Sequence, residues 1–192
     1  LAASVISPCV TELLNVPRLS DVDSTLRILR CLGCTAEQQG NDVYIDSTEV
    51  SCSAIPREMM EKMRSSVLFM GALLARCGEV HLTAPGGCKL GARPIDLHIS
   101  AMKSLGAEIE ENGCEIICRA AKLTGNRIDL PYPSVGATEN AMLAACAAEG
   151  TTVLTNAARE PEIVDLAIYL QKMGHRICGA GTSTNGAGAF GA

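Results

Sequence analysis

A cysteine stands in a glycine-rich, cationic segment of the chain. Cys88 follows two glycines in PGGCKLGARPIDLHIS (85–100), and Lys89 and Arg93 come within five residues after it. Glycine permits positive φ values, so the cysteine can stand on an exposed turn. Nearby cations favour a thiolate and attract anionic substrates. The segment predicts a reactive thiol beside an anion-binding site, against the alternative that Cys88 is a small apolar filler among ten cysteines.

Other residues are also suited to anionic ligands. The Arg93 guanidinium can bind a phosphate or carboxylate through two N–H groups, although solvation at the surface is the ordinary fate of arginine. Ser134, Val135 and Gly136 precede a helical pattern. A hydroxyl and free N–H groups at a helix start form an anion site or a plain N-cap. Arg64 opens the helical pattern of MRSSVLFMGALLA, where a cation opposes the helix dipole by about a few tenths of a kcal/mol. Something other than helix stability is therefore expected to keep Arg64 in place.

The elements that must position these residues recur three times along the chain. Apolar helical patterns end at Gly33, Gly106 and Gly174, which are 73 and 68 residues apart. Glycine at the C-terminal end of a helix and apolar residues at helical spacing both support three equivalent helices. β-like segments precede these helices, at 10–14, 79–83 and 151–155.

Additional segments complete the predicted repeat. Helices of small residues come before the second and third β-like segments, at 65–76 and 137–148. Further strands follow the glycine-terminated helices of the first two copies, at 42–45 and 115–118. The unit is therefore helix, strand, turn, helix and strand, and we place its copies at about 1–50, 57–120 and 134–182.

One copy carries an insertion. Asn15 and Asn156 each lie 18 residues before the glycine of their copy, and asparagine is a common turn residue. The second copy has four extra residues in GGCKLGARP, the loop that contains Cys88. A neutral surface loop is the plain alternative. An insertion that brings a cysteine, a lysine and an arginine to the tip of a repeated scaffold favours a functional site.

The composition predicts one globular domain over 1–192. Hydrophobic residues make up 47% of the chain and aromatic residues 3%, so the core must rest on small aliphatic side chains. The net charge of −5 argues against a general nucleic-acid binder, and no apolar run approaches the roughly 20 residues of a membrane span. Cys31 and Cys34 form a C-x-x-C without a second pair at zinc-finger spacing, so we expect no metal site. The scattered cysteines favour reduced thiols in a cytoplasmic protein.

Four long motifs in one order identify a family. Besides the Cys88 segment they are NVPRLSDVDSTLRIL from Asn15, PSVGATENAMLAA from Pro133 and EGTTVLTNAAREPEIVDLAIYL from Glu149. The chain resembles the UDP-N-acetylglucosamine 1-carboxyvinyltransferases from 1 to about 181, and the resemblance stops in the tail TNGAGAFGA. This family implies an α/β fold like that of EPSP synthase. Three repeated units form an inside-out α/β barrel, with the helices inside and the sheets outside.

The resemblance implies a role for each candidate residue. Cys88 would protonate C3 of phosphoenolpyruvate, form a phospholactoyl thioether adduct and be alkylated by fosfomycin, and Arg93 would contact phosphoenolpyruvate. Asp96 would accept hydrogen bonds from the uracil edge. Tyr132 stands where some family members carry lysine, which removes one cation from the diphosphate site. The residues implied to surround the nucleotide sugar are Arg64, Pro94, Ile95, Asp96, Leu97, His98, Tyr132, Ser134, Val135 and Gly136.

The implied reaction is an addition–elimination without a cofactor or a metal. The 3-hydroxyl of UDP-N-acetylglucosamine attacks C2 of phosphoenolpyruvate, and phosphate then leaves, in the first committed step of peptidoglycan synthesis. The family's general base lies in a second domain, which we expect this chain to lack, so we expect no turnover by the chain alone. The partners would be the two substrates and that domain, without nucleic acid or membrane insertion. The alternatives are a non-catalytic nucleotide-sugar-binding or assembly module, a structural domain, and a transferase like 5-enolpyruvylshikimate-3-phosphate synthase.

Overall fold

The computed structural model describes residues 1–83 and 95–182, together with the backbone of 188–191. The helices are α1 (Ser20–Cys31), α2 (Arg57–Lys62), α3 (Phe69–Cys77), α4 (Asp96–Ser104), α5 (Val135–Ala145) and α6 (Pro161–Lys172). The strands are β1 (Val10–Leu13), β2 (Thr35–Gln39), β3 (Asp42–Asp46), β4 (Glu79–Thr83), β5 (Glu108–Asn112), β6 (Glu115–Arg119), β7 (Arg127–Asp129), β8 (Thr151–Thr155), β9 (Arg176–Cys178) and β10 (Gly188–Gly191). Two 3₁₀ turns complete the described elements, Ala2–Val5 and Arg64–Leu68.

The strands form three small sheets that repeat one topology. The strand orders are β1-β3-β2, β4-β6-β5 and β7-β8-β10-β9. In each sheet the last strand of the unit lies between the first two and is antiparallel to both. The third sheet has one addition, because β7 pairs in parallel with the outer edge of β8. The structure therefore confirms an α/β fold built from similar units.

The sequence analysis gave one strand after the glycine-terminated helix in each of the first two copies, whereas the structure has a hairpin of two strands at both places. In these two units the missed strands are β2 and β5, whose residues are mostly exposed. The sequence analysis also gave no strand at β7, β9 or β10. A strand at the edge of a sheet that buries almost no side chain lacks the apolar alternation from which strands are recognised. The missed strands completed the small sheets that surround the helices.

The turns that begin and end the units fit the predicted repeat. Asn15 and Asn156 are the two non-glycine residues with positive φ among those described, at 57° and 55°. The helix-ending glycines adopt φ of 100°, 95° and 99°, a region open mainly to glycine, and they are Gly33, Gly106 and Gly174. The predicted turn residues are thereby confirmed. The boundaries proposed for the copies stay a prediction.

Two helices of small residues lie at the centre of the core. Six of the nine residues of α3 and eight of the eleven residues of α5 are buried. Gly71 brings the two helices together, because a Cβ there would overlap the Asn140 carbonyl oxygen and lie 2.8 Å from Asn140 Oδ1. Helices α4 and α6 pack against α5, while strands β4 and β6 contact α3 and strands β8 and β10 contact α5. None of the helices in the described ranges is both long enough and apolar enough to cross a membrane.

Candidate substrate-binding site

Several predicted site residues meet where α4 and α5 begin. The two helices pack side by side, and β4 leads through 84–94 into α4. Cys88, Arg93 and Pro94 lie outside the described residues, so their roles stay predictions. Ile95 precedes α4, Asp96 is its exposed first residue, and Leu97 is half-buried. A carboxylate in the first turn of a helix interacts favourably with the helix dipole.

The start of α5 has the features of an anion site. Ser134 is the N-cap, and its hydroxyl accepts a hydrogen bond from Ala137 N at 3.4 Å. The first-turn amides of a helix have no intrahelical acceptor, which leaves those of Val135 and Gly136 to a ligand or water. No acidic side chain lies in this first turn, so nothing there neutralises the positive end of the dipole. Both sequence interpretations, cap and anion site, are compatible with this geometry.

His98 links the two helix starts. The imidazole is 8% exposed and packs against the first turn of α5. A Cβ at position 136 would stand 3.1 Å from His98 Cε1 and 3.4 Å from His98 Nε2, so Gly136 permits this close approach. The ring therefore presents its Nε2 side to the turn that Ser134 caps.

A fully buried asparagine fixes the orientation of that imidazole. Asn140 Oδ1 accepts the Gly71 amide hydrogen at 2.8 Å, so the other end of the carboxamide is its NH₂ group. Asn140 Nδ2 donates to Val67 O at 2.9 Å and lies 2.7 Å from His98 Nδ1. An amide nitrogen only donates, so His98 Nδ1 accepts and the ring proton resides on Nε2. The network thus assigns the neutral Nε2–H tautomer to His98.

Burial keeps this histidine uncharged. Desolvation lowers the pKa of His98 from 6.5 to about 4, because its low-polarity surroundings disfavour the imidazolium. The hydrogen bond from Asn140 also lowers the pKa of His98, because a proton on Nδ1 would face the NH₂ group of Asn140, which is itself a donor. At neutral pH His98 is therefore a fixed hydrogen-bond donor beside the start of α5 and not a cation.

Arg64 and Tyr132 lie on the surface near these elements. Arg64 begins a 3₁₀ turn and not the predicted α-helix, which starts five residues later at Phe69. The Arg64 side chain is exposed and bonds to no described residue. The 3₁₀ turn itself is anchored to α5, because Val67 O accepts a hydrogen bond from Asn140 Nδ2. Tyr132 is 53% exposed, two residues before the cap. The structure thus brings 95–98 and 134–136 together, with Arg64 on an adjoining turn.

Sequence reasoning missed Asn140. The signal available was a lone carboxamide in the apolar helical run ATENAMLAAC, since a buried amide requires partners. Its three contacts come from residues up to 73 positions away, and they could not be named from the sequence. Across 1–83 and 95–182, no three histidine, cysteine, aspartate or glutamate side chains are arranged to hold a metal ion.

Comparison with known proteins agrees with this architecture. The chain superposes over its whole length on 45% of the enolpyruvyl transferase NikO from Streptomyces tendae, with a TM-score of 0.85 and 21% identity. It also superposes, over 99% of its length, on 44% of EPSP synthase from Acinetobacter baumannii, with a TM-score of 0.74 and 20% identity. At this identity the two likenesses establish the fold, which is the EPSP synthase-like fold expected from the sequence.

Sequence relatives are much more similar. The chain is 50% identical over 184 residues to UDP-N-acetylglucosamine 1-carboxyvinyltransferase 2 of Caldanaerobacter subterraneus subsp. tengcongensis, covering 96% of this chain and 44% of the relative. It is 49% identical to the UDP-N-acetylglucosamine 1-carboxyvinyltransferase of Finegoldia magna, again covering 96% of this chain and 44% of the relative. The chain thus spans less than half the length of these curated relatives. Residues 1–187 match the family described as EPSP synthase (3-phosphoshikimate 1-carboxyvinyltransferase), and the chain therefore belongs to the EPSP synthase family.

Proposed function

We propose that this chain is the cysteine-bearing part of an enzyme that transfers the enolpyruvyl group from phosphoenolpyruvate to UDP-N-acetylglucosamine. The identity of up to 50% to enzymes named for this reaction supports the proposal. The observation that carries it is the meeting of the α4 and α5 starts, because the family's nucleotide-binding motifs fall on these two turns. The reaction would serve peptidoglycan synthesis in the cytoplasm, and through it cell shape and division.

The two helix starts would bind the UDP moiety. The free amides of Val135 and Gly136 donate hydrogen bonds to the diphosphate, and the dipole of α5 stabilises its charge. His98 adds a neutral Nε2–H donor at the same turn. Asp96, exposed at the start of α4, accepts hydrogen bonds from the uracil edge, and Arg64 contacts the nucleotide sugar from the neighbouring 3₁₀ turn.

The chemistry would depend on the segment before α4. In the proposed mechanism Cys88 protonates C3 of phosphoenolpyruvate while the sugar 3-hydroxyl attacks C2, and Arg93 binds the anionic groups of phosphoenolpyruvate. Fosfomycin would alkylate Cys88. The base that accepts the hydroxyl proton, together with further phosphate-binding cations, would come from the part of the relatives' length that this chain does not cover. We therefore expect this chain to bind substrates and not to release phosphate by itself.

Titration with UDP-N-acetylglucosamine tests the binding site. Backbone amide NMR signals of 95–98 and 134–136 should shift at high-micromolar to millimolar ligand, since part of a cleft binds weakly. Arg64→Ala should weaken binding about tenfold or more, because a contact to a charged group contributes about 1.5–3 kcal/mol. Lys122→Ala is the matched control, since Lys122 pairs with Glu149 beyond the C-terminal end of α5.

Three outcomes would redirect the proposal. A response to shikimate 3-phosphate instead of the nucleotide sugar would favour the activity of 5-enolpyruvylshikimate-3-phosphate synthase. Binding that persists in a full-length protein without phosphate release would favour a non-catalytic binding module. Shifts that avoid both helix starts would refute the site itself.

A further inference from the structure

Four of the described cysteines gather on one side of the molecule, where α1 and α3 end. Cys31 is the last residue of α1 and Cys77 the last residue of α3, while Cys34 follows the turn after α1. Cys52 lies in the loop that connects β3 to α2. Cys77 is exposed, Cys31 and Cys52 are half-buried, and Cys34 is buried. All four are free thiols.

The loop that carries Cys52 is fixed directly over the end of α1. The amides of Ser51 and Cys52 both donate to Leu32 O, at 2.9 Å and 3.3 Å, and Leu32 directly follows Cys31. The loop packs so closely that a Cβ at Gly33 would overlap Ser51 Oγ. The backbone of Cys52 is therefore hydrogen-bonded to Leu32, the residue that directly follows Cys31.

The same loop is anchored on its other side by β4. His81 N donates to Ser53 O at 2.9 Å, and Ile55 N donates to His81 O at 3.0 Å. Because β4 begins two residues after Cys77, this anchor brings Cys52 toward the end of α3 as well. Cys52 thus lies between Cys31 and Cys77.

The charges of these thiolates would affect one another. Burial, and then the neighbouring Cys52, raises the pKa of Cys31. Burial also raises the pKa of Cys77, with Arg76 opposing and Cys52 adding to the shift. A stabilised thiolate favours the reduced form of a cysteine pair, and a raised thiol pKa removes that advantage. A disulfide between these cysteines is therefore a weak oxidant.

Disulfide chemistry suits this arrangement better than metal binding. No three potential ligands in the described parts of the chain are placed to hold a metal ion, whereas a disulfide needs only two sulfurs on neighbouring backbones. Cys52 Sγ accepts the Ala54 amide hydrogen at 3.3 Å and donates to Ala54 O at 3.4 Å, and these two contacts hold the sulfur on the loop. Because its loop is anchored both to Leu32 and to β4, Cys52 is the thiol placed to pair with either Cys31 or Cys77.

We propose that Cys52 and Cys31 form a reversible disulfide by exchange with a low-molecular-weight disulfide, with Cys77 as the alternative partner of Cys52. The Cys52 thiolate attacks one sulfur of the small disulfide, forms a mixed disulfide and releases one small thiolate. The Cys31 thiolate then attacks Cys52 Sγ and releases the second. Two protein thiols are oxidised, one small disulfide is reduced to two thiols, and the bond joins α1 to the loop held by β4.

Equilibration of the reduced chain with mixtures of reduced and oxidised glutathione tests this proposal. After acid quenching and blocking of free thiols, the chain is cleaved after glutamate and mapped by mass spectrometry. Cleavage at Glu37 and Glu49 separates the Cys31 peptide from the Cys52 peptide, whereas trypsin leaves both on one peptide. We expect a Cys31–Cys52 cross-link as the first intramolecular disulfide to form as the oxidised fraction rises.

Variants identify the partners. Cys52→Ser should abolish the cross-link, and Cys31→Ser should replace it with a Cys52–Cys77 cross-link. Cys34→Ser should leave it unchanged, which separates Cys31 from the other cysteine on its peptide, and Cys114→Ser is a control in the distant β5–β6 hairpin. A cross-link that survives in the Cys52→Ser variant would overturn the proposal. The proposal would also be overturned if, at every ratio of reduced to oxidised glutathione, the chain formed mixed disulfides with glutathione and no intramolecular cross-link.

Discussion

Asn140→Asp tests the network that orients His98. The replacement oxygen cannot donate to Val67 O, and leaving a buried carbonyl unpaired costs about 1–3 kcal/mol. Burying a carboxylate adds a further cost, only partly offset if His98 becomes its charged partner. The free energy of unfolding at pH 8 should therefore fall by roughly 2–4 kcal/mol. Asn126→Asp is the control, because Asn126 is exposed and bonds to Ser104 O and Arg127 N.

The pH dependence of that loss should separate the tautomer argument from a simple packing defect. In the native chain the pKa of His98 is lowered to about 4 from 6.5, so the unfolded state binds the proton first as the pH falls. The stability contributed by neutral His98 is then lost below pH 6.5, by roughly 2 kcal/mol at pH 5. In the Asp variant a carboxylate faces Nδ1, which raises the pKa of His98 and reverses the sign of this contribution.

The gap in stability between the native chain and Asn140→Asp should thus narrow by at least about 2 kcal/mol between pH 8 and pH 5. Urea denaturation followed by circular dichroism at the two pH values measures it, and groups common to both proteins cancel in the difference. Long-range ¹H–¹⁵N spectra should show a protonated Nε2 and an unprotonated Nδ1 for native His98. A gap that stays constant with pH, or a proton found on Nδ1, would refute the reasoning.

The remaining predictions concern the turns, the diphosphate site and the thiols. Gly33→Ala and Gly174→Ala place alanine at nearly equal φ, but of these two only the alanine at 33 would overlap another residue. Urea denaturation should therefore show that Gly33→Ala lowers the free energy of unfolding by about 1–3 kcal/mol more than Gly174→Ala does. Tyr132→Lys restores a cation beside the cap of α5 and should tighten UDP-N-acetylglucosamine binding about fivefold in an NMR titration, since an exposed charge contributes up to about 1 kcal/mol. Limiting iodoacetamide should label Cys88 before the other cysteines; peptide mapping that finds another thiol labelled first would contradict its proposed reactivity.

The sequence predicted those features that depend on neighbouring residues. Asn15 and Asn156 were identified as turn residues because their type and spacing before a helix are local signals, and both adopt positive φ. The starts of β4 and β8 were also predicted, because apolar alternation marks a strand with one buried face. The hairpin strands β2 and β5 were missed because their exposed side chains carry no such alternation.

Long-range proximity could not be read from the chain. His98 was expected to lie beside the nucleotide, but its partner Asn140 is 42 residues away, and their contact depends on how α4 packs against α5. Cys31 and Cys34 were judged by their sequence spacing, whereas the thiol that approaches Cys31 belongs to a loop positioned by β4. In both cases the tertiary packing of repeated units decides which side chains meet.

The close approach of α3 and α5 has a consequence for how this domain tolerates change. Gly71 touches no predicted substrate, yet it meets Asn140, which holds His98 against Gly136. A larger side chain at 71 would displace the Asn140 carboxamide, and His98 would then lose its fixed position against the first turn of α5. Acceptable substitutions at these four positions should therefore depend on one another, so that a core residue constrains which variants of the binding site are accessible to selection.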